Sequence, residues 1–145
     1  MKQRWDLRAD RSTAVINDKQ LSALLSKYVA AWEAADSNAL VAILREDVAM
    51  TMPPYPFWFH GRADIQAFLD GYLFKSANPF HLHLIATHAN GAPAFAVYQL
   101  GQDGVYRTAG LHVLSLQDGY VGEIDDFISN NDRLFSQLGL PLSLD

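Results

Sequence analysis

Apolar residues recur at helical spacing through the first half of the chain. The first stripe predicts a helix over residues 17–35, and Asp36 with Ser37 breaks it before a shorter second helix. A strand follows over residues 47–52 and ends at Pro53-Pro54, because proline has no N–H to donate to a ladder. Gly61 opens a third amphipathic helix. The apolar stripes are Leu21, Leu24, Leu25, Tyr28 and Trp32, then Leu40, Val41 and Leu44, then Ile65, Phe68, Leu69 and Tyr72.

The second half of the chain has the pattern of strands joined by tight turns. Strand-like segments cover residues 80–89, 92–100, 106–116 and 120–129. The pairs between them, Asn90-Gly91, Asp103-Gly104 and Asp118-Gly119, readily adopt the positive φ of hairpin turns. We therefore predict an antiparallel meander, and an α+β fold with about three helices packed in the concave face of a curved, mostly antiparallel sheet. A short helix over residues 131–138 is expected after it.

The length of 145 residues suits one domain, predicted to cover residues 17–141. Residues 1–16 are polar and without periodicity, which indicates an arm or linker, and residues 142–145 form a tail. Half of the residues are hydrophobic, so an ordered interior is expected.

Charge and composition exclude several classes of function. The net charge of −5 disfavours direct binding to nucleic acid, which needs a basic face. The absence of cysteine excludes a disulfide framework, a thiol nucleophile and a zinc–thiolate site. No apolar run approaches the roughly 20 residues that cross a bilayer, and the first ten residues lack the core of a signal peptide. We expect a cytoplasmic protein without membrane contact.

An aromatic loop separates the first strand from the third helix. It carries Tyr55, Phe57, Trp58 and Phe59 between the prolines and Gly61. Loops are normally polar, so these side chains need a place to be buried. The mouth of an internal cavity would provide it, with Trp58 and Phe59 as lid or entrance.

The order of elements and several short segments resemble the cone-shaped nuclear transport factor 2-like superfamily. That superfamily includes ketosteroid isomerase, limonene epoxide hydrolase and SnoaL-like polyketide cyclases. The closer resemblance is to the SnoaL-like carboxy-terminal domain of extracytoplasmic-function sigma factors. It is carried by residues 28–36, Met52-Pro53-Pro54 with Trp58 and Gly61-Arg62, residues 90–95, and Phe135 with Gly139-Leu140-Pro141.

The resemblance implies a cone whose first helix and inner sheet face line a pocket. The chain has no counterpart of the promoter-binding helical domains of a sigma factor, so it is expected to be a free-standing relative or an excised domain. It also has no clear counterpart of the charged tetrad of limonene epoxide hydrolase. Met52-Pro53-Pro54 stands where ketosteroid isomerase would have its base.

In this superfamily the acid or base is commonly an aspartate on a late strand. Here Asp125 and Asp126 are adjacent, and alternation directs them to opposite faces. Asp126 shares its face with Ile124 and Ile128, so it is the favoured acid or base, although a bulge would exchange the two. A carboxyl group in apolar surroundings suits acid–base chemistry near neutral pH. Solvation of both aspartates, or bonding to backbone, is the alternative.

Histidines are the candidate hydrogen-bond donors beside this aspartate. His81 and His83 share one face of their strand, but no third ligand accompanies them, so no metal site is predicted. One of His81 and His83, or else His112, would instead lie in the pocket, where a His–Asp pair would fix the imidazole tautomer. Packing at a strand edge is the alternative for each histidine.

Tyrosine and tryptophan side chains are the remaining candidates for ligand contact. Tyr28 and Trp32 lie one turn apart on the first helix, which the resemblance makes a pocket wall. Tyr98 in the second strand of the meander has the same two interpretations, core residue or ligand donor.

Two functions fit these observations. The first is a small-molecule pocket protein, or a cofactor-free acid–base enzyme of isomerase, cyclase or hydrolase type acting on an apolar, oxygen-bearing ligand. Its catalytic residues would be Asp126 and His112, with Tyr28, Trp32, Trp58, Phe59, His83, Tyr98 and Asp125 binding the ligand. The second is a non-catalytic ligand-sensing or protein-interaction domain. A homodimer is expected for either, because pairing would cover the apolar outer face of the sheet.

Overall fold

Two helices precede the first strand, a third lies between the second and third strands, and a fourth follows the sixth strand. The computed structural model describes residues 18–74, 81–89, 91–128 and 132–144. The predicted arm over residues 1–16 and Asn17, the first residue of the first predicted helix, lie outside these ranges. The helices are α1 (Asp18–Glu33), α2 (Ser37–Val41), α3 (Arg62–Phe68), which continues as a π-helical segment (Leu69–Phe74), and α4 (Asp132–Gln137). Asp36, where the break between the first two helices was predicted, caps α2 by accepting a hydrogen bond from the Ala39 N–H.

The strands form a single curved sheet in the described residues. They are β1 (Leu44–Thr51), β2 (Trp58–His60), β3 (Leu82–Ala89), β4 (Ala92–Leu100), β5 (Tyr106–Gln117), β6 (Tyr120–Phe127) and β7 (Ser143–Leu144). Their order is β2-β1-β6-β5-β4-β3, with β7 paired to β5, and only β1 and β6 run parallel. The α+β class and the antiparallel meander β3–β6 are confirmed. No described pairing joins β2 to β3, so hydrogen bonds do not close the cone into a barrel.

The turns of the meander follow the predicted chemistry. Asp118 and Gly119 both have positive φ, 55° and 82°, which matches the twist of the β5–β6 hairpin. Gly91 and Gly104 also have positive φ. Asn90 lies outside the described residues.

Two short strands were not predicted. β2 lies inside the aromatic loop, where Phe59 pairs with Met50 of β1. β7 follows Pro141, and Leu144 pairs with Tyr106 of β5. Both are too short for alternation to reveal them from sequence.

The sheet buries apolar side chains on both faces. The helices cover the inner face, where the fully buried residues include Tyr28, Met50 and Ile65. On the outer face a second cluster is covered by the carboxy-terminal segment: Phe135 of α4 meets the Tyr98 ring at 5.5 Å between centroids. The Tyr98 hydroxyl donates to the Pro141 carbonyl at 2.7 Å. Part of the face expected to be covered by dimerisation is thus covered within the chain.

Candidate functional site

The β5–β6 pairing brings a histidine and an aspartate together in the interior. His112 lies directly opposite Asp126 in the register, and both side chains are buried. Asp126 is buried on the same face of β6 as Ile124, so it is the aspartate that faces the interior. Asp125 faces the other way and accepts a hydrogen bond from the Thr51 hydroxyl at 2.7 Å.

Tyr28, His112 and Asp126 form a buried polar chain from α1 to β6. The Tyr28 hydroxyl lies 2.8 Å from His112 Nδ1. His112 Nε2 lies 3.4 Å from Asp126 Oδ2. The three groups bridge α1, β5 and β6, so the tertiary fold rather than any local segment assembles them. We call this set the polar chain.

Aromatic rings enclose the polar chain. Phe95 stacks on Tyr28 with centroids 5.2 Å apart, and Trp32 meets the His112 ring edge-on at 4.7 Å. Phe74 in turn packs edge-on against Trp32 at 5.4 Å. Water is excluded on these sides, which strengthens each electrostatic contact within the chain.

Burial determines where the protons lie. Desolvation raises the pKa of Tyr28 well above its usual 10.0, the Asp126 charge adds to this rise, and the nearby Trp32 N–H opposes it. Tyr28 is therefore a neutral O–H near pH 7. When it donates to Nδ1 of a neutral His112, the imidazole proton resides on Nε2 and is directed at the Asp126 carboxylate. A neutral His112 that accepts from Tyr28 is thus held in the tautomer with its proton on Nε2.

Two buried polar atoms at the ends of the polar chain lack a hydrogen-bond partner among the described residues. They are Asp126 Oδ1, an acceptor, and Trp32 Nε1, a donor that approaches Tyr28 without hydrogen-bond geometry. A buried polar atom without a hydrogen bond lowers the stability of the folded protein by about 1–3 kcal/mol. The Asp126 side chain retains 11% exposure, whereas Tyr28 at the other end is fully buried, so the aspartate is the more accessible end.

A glycine beside the aspartate escaped the sequence analysis. Gly110 in β5 lies so close that a Cβ there would meet Asp126 Oδ1 at 2.6 Å. The available signal was the position of this glycine inside a strand, which often marks close approach of another group.

The structure separates the other predicted residues from the polar chain. Leu82 and Leu84 join the inner cluster, so His83 between them lies outside, where its Nδ1 is 3.1 Å from the Glu33 carboxylate. Tyr98 lies on the outer face. Two side chains of the aromatic loop have different surroundings. Trp58 is 62% exposed, whereas Phe59 packs against the inner cluster and stacks on Phe68 with ring centroids 4.5 Å apart.

The groove found on the surface of the described residues is separate from the buried polar chain. A groove of about 580 Å³ runs between α1 and the β5–β6 turn, lined by Leu24, Lys27, Ile43 and Tyr120 among others. Within the described residues no group of three His, Asp or Glu is placed to hold a metal ion. None of the described helices has the length and apolarity to cross a membrane.

The raised pKa of Tyr28 predicts a loss of stability at high pH. Only the unfolded chain ionises this tyrosine just above pH 10, so its contribution is full below pH 10 and declines as the pH rises towards the raised pKa. We expect wild type to lose up to about 1.4 kcal/mol per pH unit more than Tyr28→Phe in urea unfolding between pH 10 and 11. Tyr55→Phe, a change at a half-exposed ring, is the control and should follow wild type. Equal slopes for wild type and Tyr28→Phe would contradict this assignment.

Comparison with known proteins agrees with the fold and the order of elements. The sequence profile of the SnoaL-like domain family matches residues 25–124. The chain is 34% identical over 136 residues to the ECF RNA polymerase sigma factor SigG of Mycobacterium tuberculosis, an alignment that covers 94% of this chain and 35% of the sigma factor. The chain thus spans about a third of the length of that relative.

Solved structures of similar shape come from several bacteria. An NTF-2-like protein from Burkholderia xenovorans LB400 superposes with a TM-score of 0.62 at 18% identity, covering 83% of this chain and 93% of that one. The Delta 5-3-ketosteroid isomerase from Mycobacterium sp. gives 0.54 at 15% identity, covering 74% and 92%. At these sequence identities the similarity to the two solved structures supports the fold alone. The profile match across most of the domain shows that this chain belongs to the SnoaL-like domain family, and the solved structures show its nuclear transport factor 2-like fold.

Proposed function

We propose that the chain is a small-molecule-binding domain whose polar chain recognises an apolar ligand bearing an oxygen function. The observation that carries this proposal is the buried Asp126 Oδ1, an acceptor without a partner among the described residues at the more accessible end of the chain. Buried polar groups are normally paired, and an unpaired one marks a site where a further group is expected. A hydroxyl group of the ligand would donate to this oxygen.

The same geometry suits acid–base chemistry without a cofactor. Asp126 Oδ1 would accept a proton from the ligand, while the His112 Nε2–H stabilises the opposite oxygen. Tyr28 would fix the imidazole through Nδ1 and keep its proton on Nε2. The neighbouring Delta 5-3-ketosteroid isomerase supports this reading by fold analogy only.

Two naphthalene probes test the proposal. 2-Naphthol carries a hydroxyl group where 2-methylnaphthalene carries a methyl group, so only the first can donate a hydrogen bond to Asp126. We expect 2-naphthol to bind saturably in isothermal titration calorimetry at pH 7, and Asp126→Asn to weaken it by about 10- to 100-fold, the value of a hydrogen bond to a charged acceptor. Binding of 2-methylnaphthalene, which has a methyl group instead of the hydroxyl, should change less than about 3-fold.

The adjacent aspartate supplies the matched control. Asp125→Asn removes the same charge one residue away, but Asp125 pairs with Thr51 on the other face. It should bind 2-naphthol as wild type does. Equal affinity in wild type and Asp126→Asn, or no saturable binding of 2-naphthol, would count against the proposal.

A second candidate function is ligand sensing within a transcription regulator. It is favoured by the 34% identity to a sigma factor over nearly the whole chain. The two candidates differ in turnover: a sensor binds 2-naphthol through Asp126 but does not isomerise a Δ5-3-ketosteroid. Turnover that disappears in Asp126→Asn would instead favour the enzyme.

A further inference from the structure

Gly110 lies within β5, and its backbone conformation does not require glycine. The described glycines with positive φ are Gly61, Gly91, Gly104, Gly119 and Gly139, and Gly110 is not among them. A β-bulge lies beside it, between the Val97–Gly110 and Tyr98–Thr108 pairs. Glycine in a strand interior lowers stability relative to alanine. Its presence here therefore needs a reason other than chain conformation.

The reason is the space that the Asp126 carboxylate occupies. A Cβ on Gly110 would lie 2.6 Å from Asp126 Oδ1 and 3.7 Å from its Cγ. The carboxylate has little freedom to move aside, because its other oxygen faces His112 Nε2 and the side chain is buried. A methyl group at this position would turn or push the carboxylate away from the imidazole.

We infer that Gly110 is a positioning residue. The absence of a side chain at this position leaves room for Asp126 Oδ1 to keep its ligand-facing direction while Oδ2 lies against His112. The role in ligand recognition rests on the function proposed above, whereas the role in placing the carboxylate rests on geometry alone. No described residue approaches Asp126 Oδ1 in hydrogen-bond geometry, so no hydrogen bond fixes this oxygen, and the free space above Gly110 is what permits its orientation.

Gly110→Ala tests the inference. We expect it to weaken 2-naphthol binding about 10-fold or more, while 2-methylnaphthalene binds within about 3-fold of wild type. Gly122→Ala in β6 is the matched control: its Cβ would meet the Gln117 amide oxygen at 2.8 Å, the end of a flexible side chain away from the polar chain. This control should bind as wild type does.

Two readouts separate carboxylate positioning from simple destabilisation. In ¹⁵N NMR, the His112 Nε2 signal of Gly110→Ala should move towards its position in Asp126→Asn, whereas Gly122→Ala leaves it unchanged. In thermal unfolding, Gly110→Ala should lower the Tm of wild type but raise that of Asp126→Ala, where the obstructing oxygen is absent. An unchanged His112 signal, or an equal fall in Tm in both backgrounds, would overturn the inference. If 2-naphthol does not bind wild type, the proposed function fails alone, and these readouts still decide the role of Gly110.

Discussion

His112→Leu is expected to lower the free energy of unfolding by about 3–5 kcal/mol. The substitution removes the central member of the polar chain and leaves the Tyr28 hydroxyl and the Asp126 carboxylate buried without their partner. Removing one member of a buried charged network costs this much because the remaining charge stays uncompensated. Urea unfolding of both proteins at pH 7 measures the difference.

A fully apolar replacement of the polar chain is expected to reverse that loss. The triple variant Tyr28→Phe, His112→Leu, Asp126→Val removes all three polar side chains together, so none of them is left buried without its partner. Well-packed apolar substitutes for buried ion pairs are often neutral or stabilising. We expect its stability within about 1 kcal/mol of wild type or above it, with selective 2-naphthol binding lost. A triple variant as unstable as His112→Leu would show that the polar chain serves the fold rather than a ligand.

Phe135→Ala is expected to cost about 3–5 kcal/mol, the range for deleting a buried aromatic side chain. Phe135 has no exposed surface, packs edge-on against Tyr98 and anchors α4 on the outer sheet face. Phe127→Ala is the control, because this ring in β6 is 37% exposed and should cost about 1 kcal/mol or less. Urea unfolding measures both. A loss for Phe135→Ala no larger than for Phe127→Ala would contradict the assignment of α4 as part of the core.

Regular elements with one apolar stripe were predictable because burial imposes their period on the sequence. The stripe through Tyr28 and Trp32 predicted α1, and alternation along β6 selected Asp126 over Asp125. Both predictions needed only local geometry.

Apolar periodicity does not tell the two faces of a strand apart when both faces are buried. β4 places Phe95 and Val97 inside and Tyr98 outside, yet all three are apolar enough for either face. Alternation therefore could not say that Tyr98 lies away from Tyr28. It likewise grouped His83 with the pocket candidates, although Leu82 and Leu84 take the inner positions of β3.

The contact between Gly110 and Asp126 was beyond sequence reasoning for another reason. It depends on the register of two strands and on the bulge beside Gly110, neither of which a hydrophobic pattern fixes. The pairing of Tyr28 with His112 likewise spans 84 positions of the chain and follows from the tertiary fold alone.

The most direct test of ligand recognition by the polar chain is a side-chain NMR titration of wild type with 2-naphthol. We predict saturable shifts of the His112 ring nitrogens and of the Trp32 indole N–H, because these groups contact or terminate the polar chain. The shifts should be much smaller with 2-methylnaphthalene, and in Asp126→Asn they should saturate only at about 10- to 100-fold higher 2-naphthol concentration. Saturable binding of 2-naphthol that leaves the His112 and Trp32 signals unmoved would contradict the account.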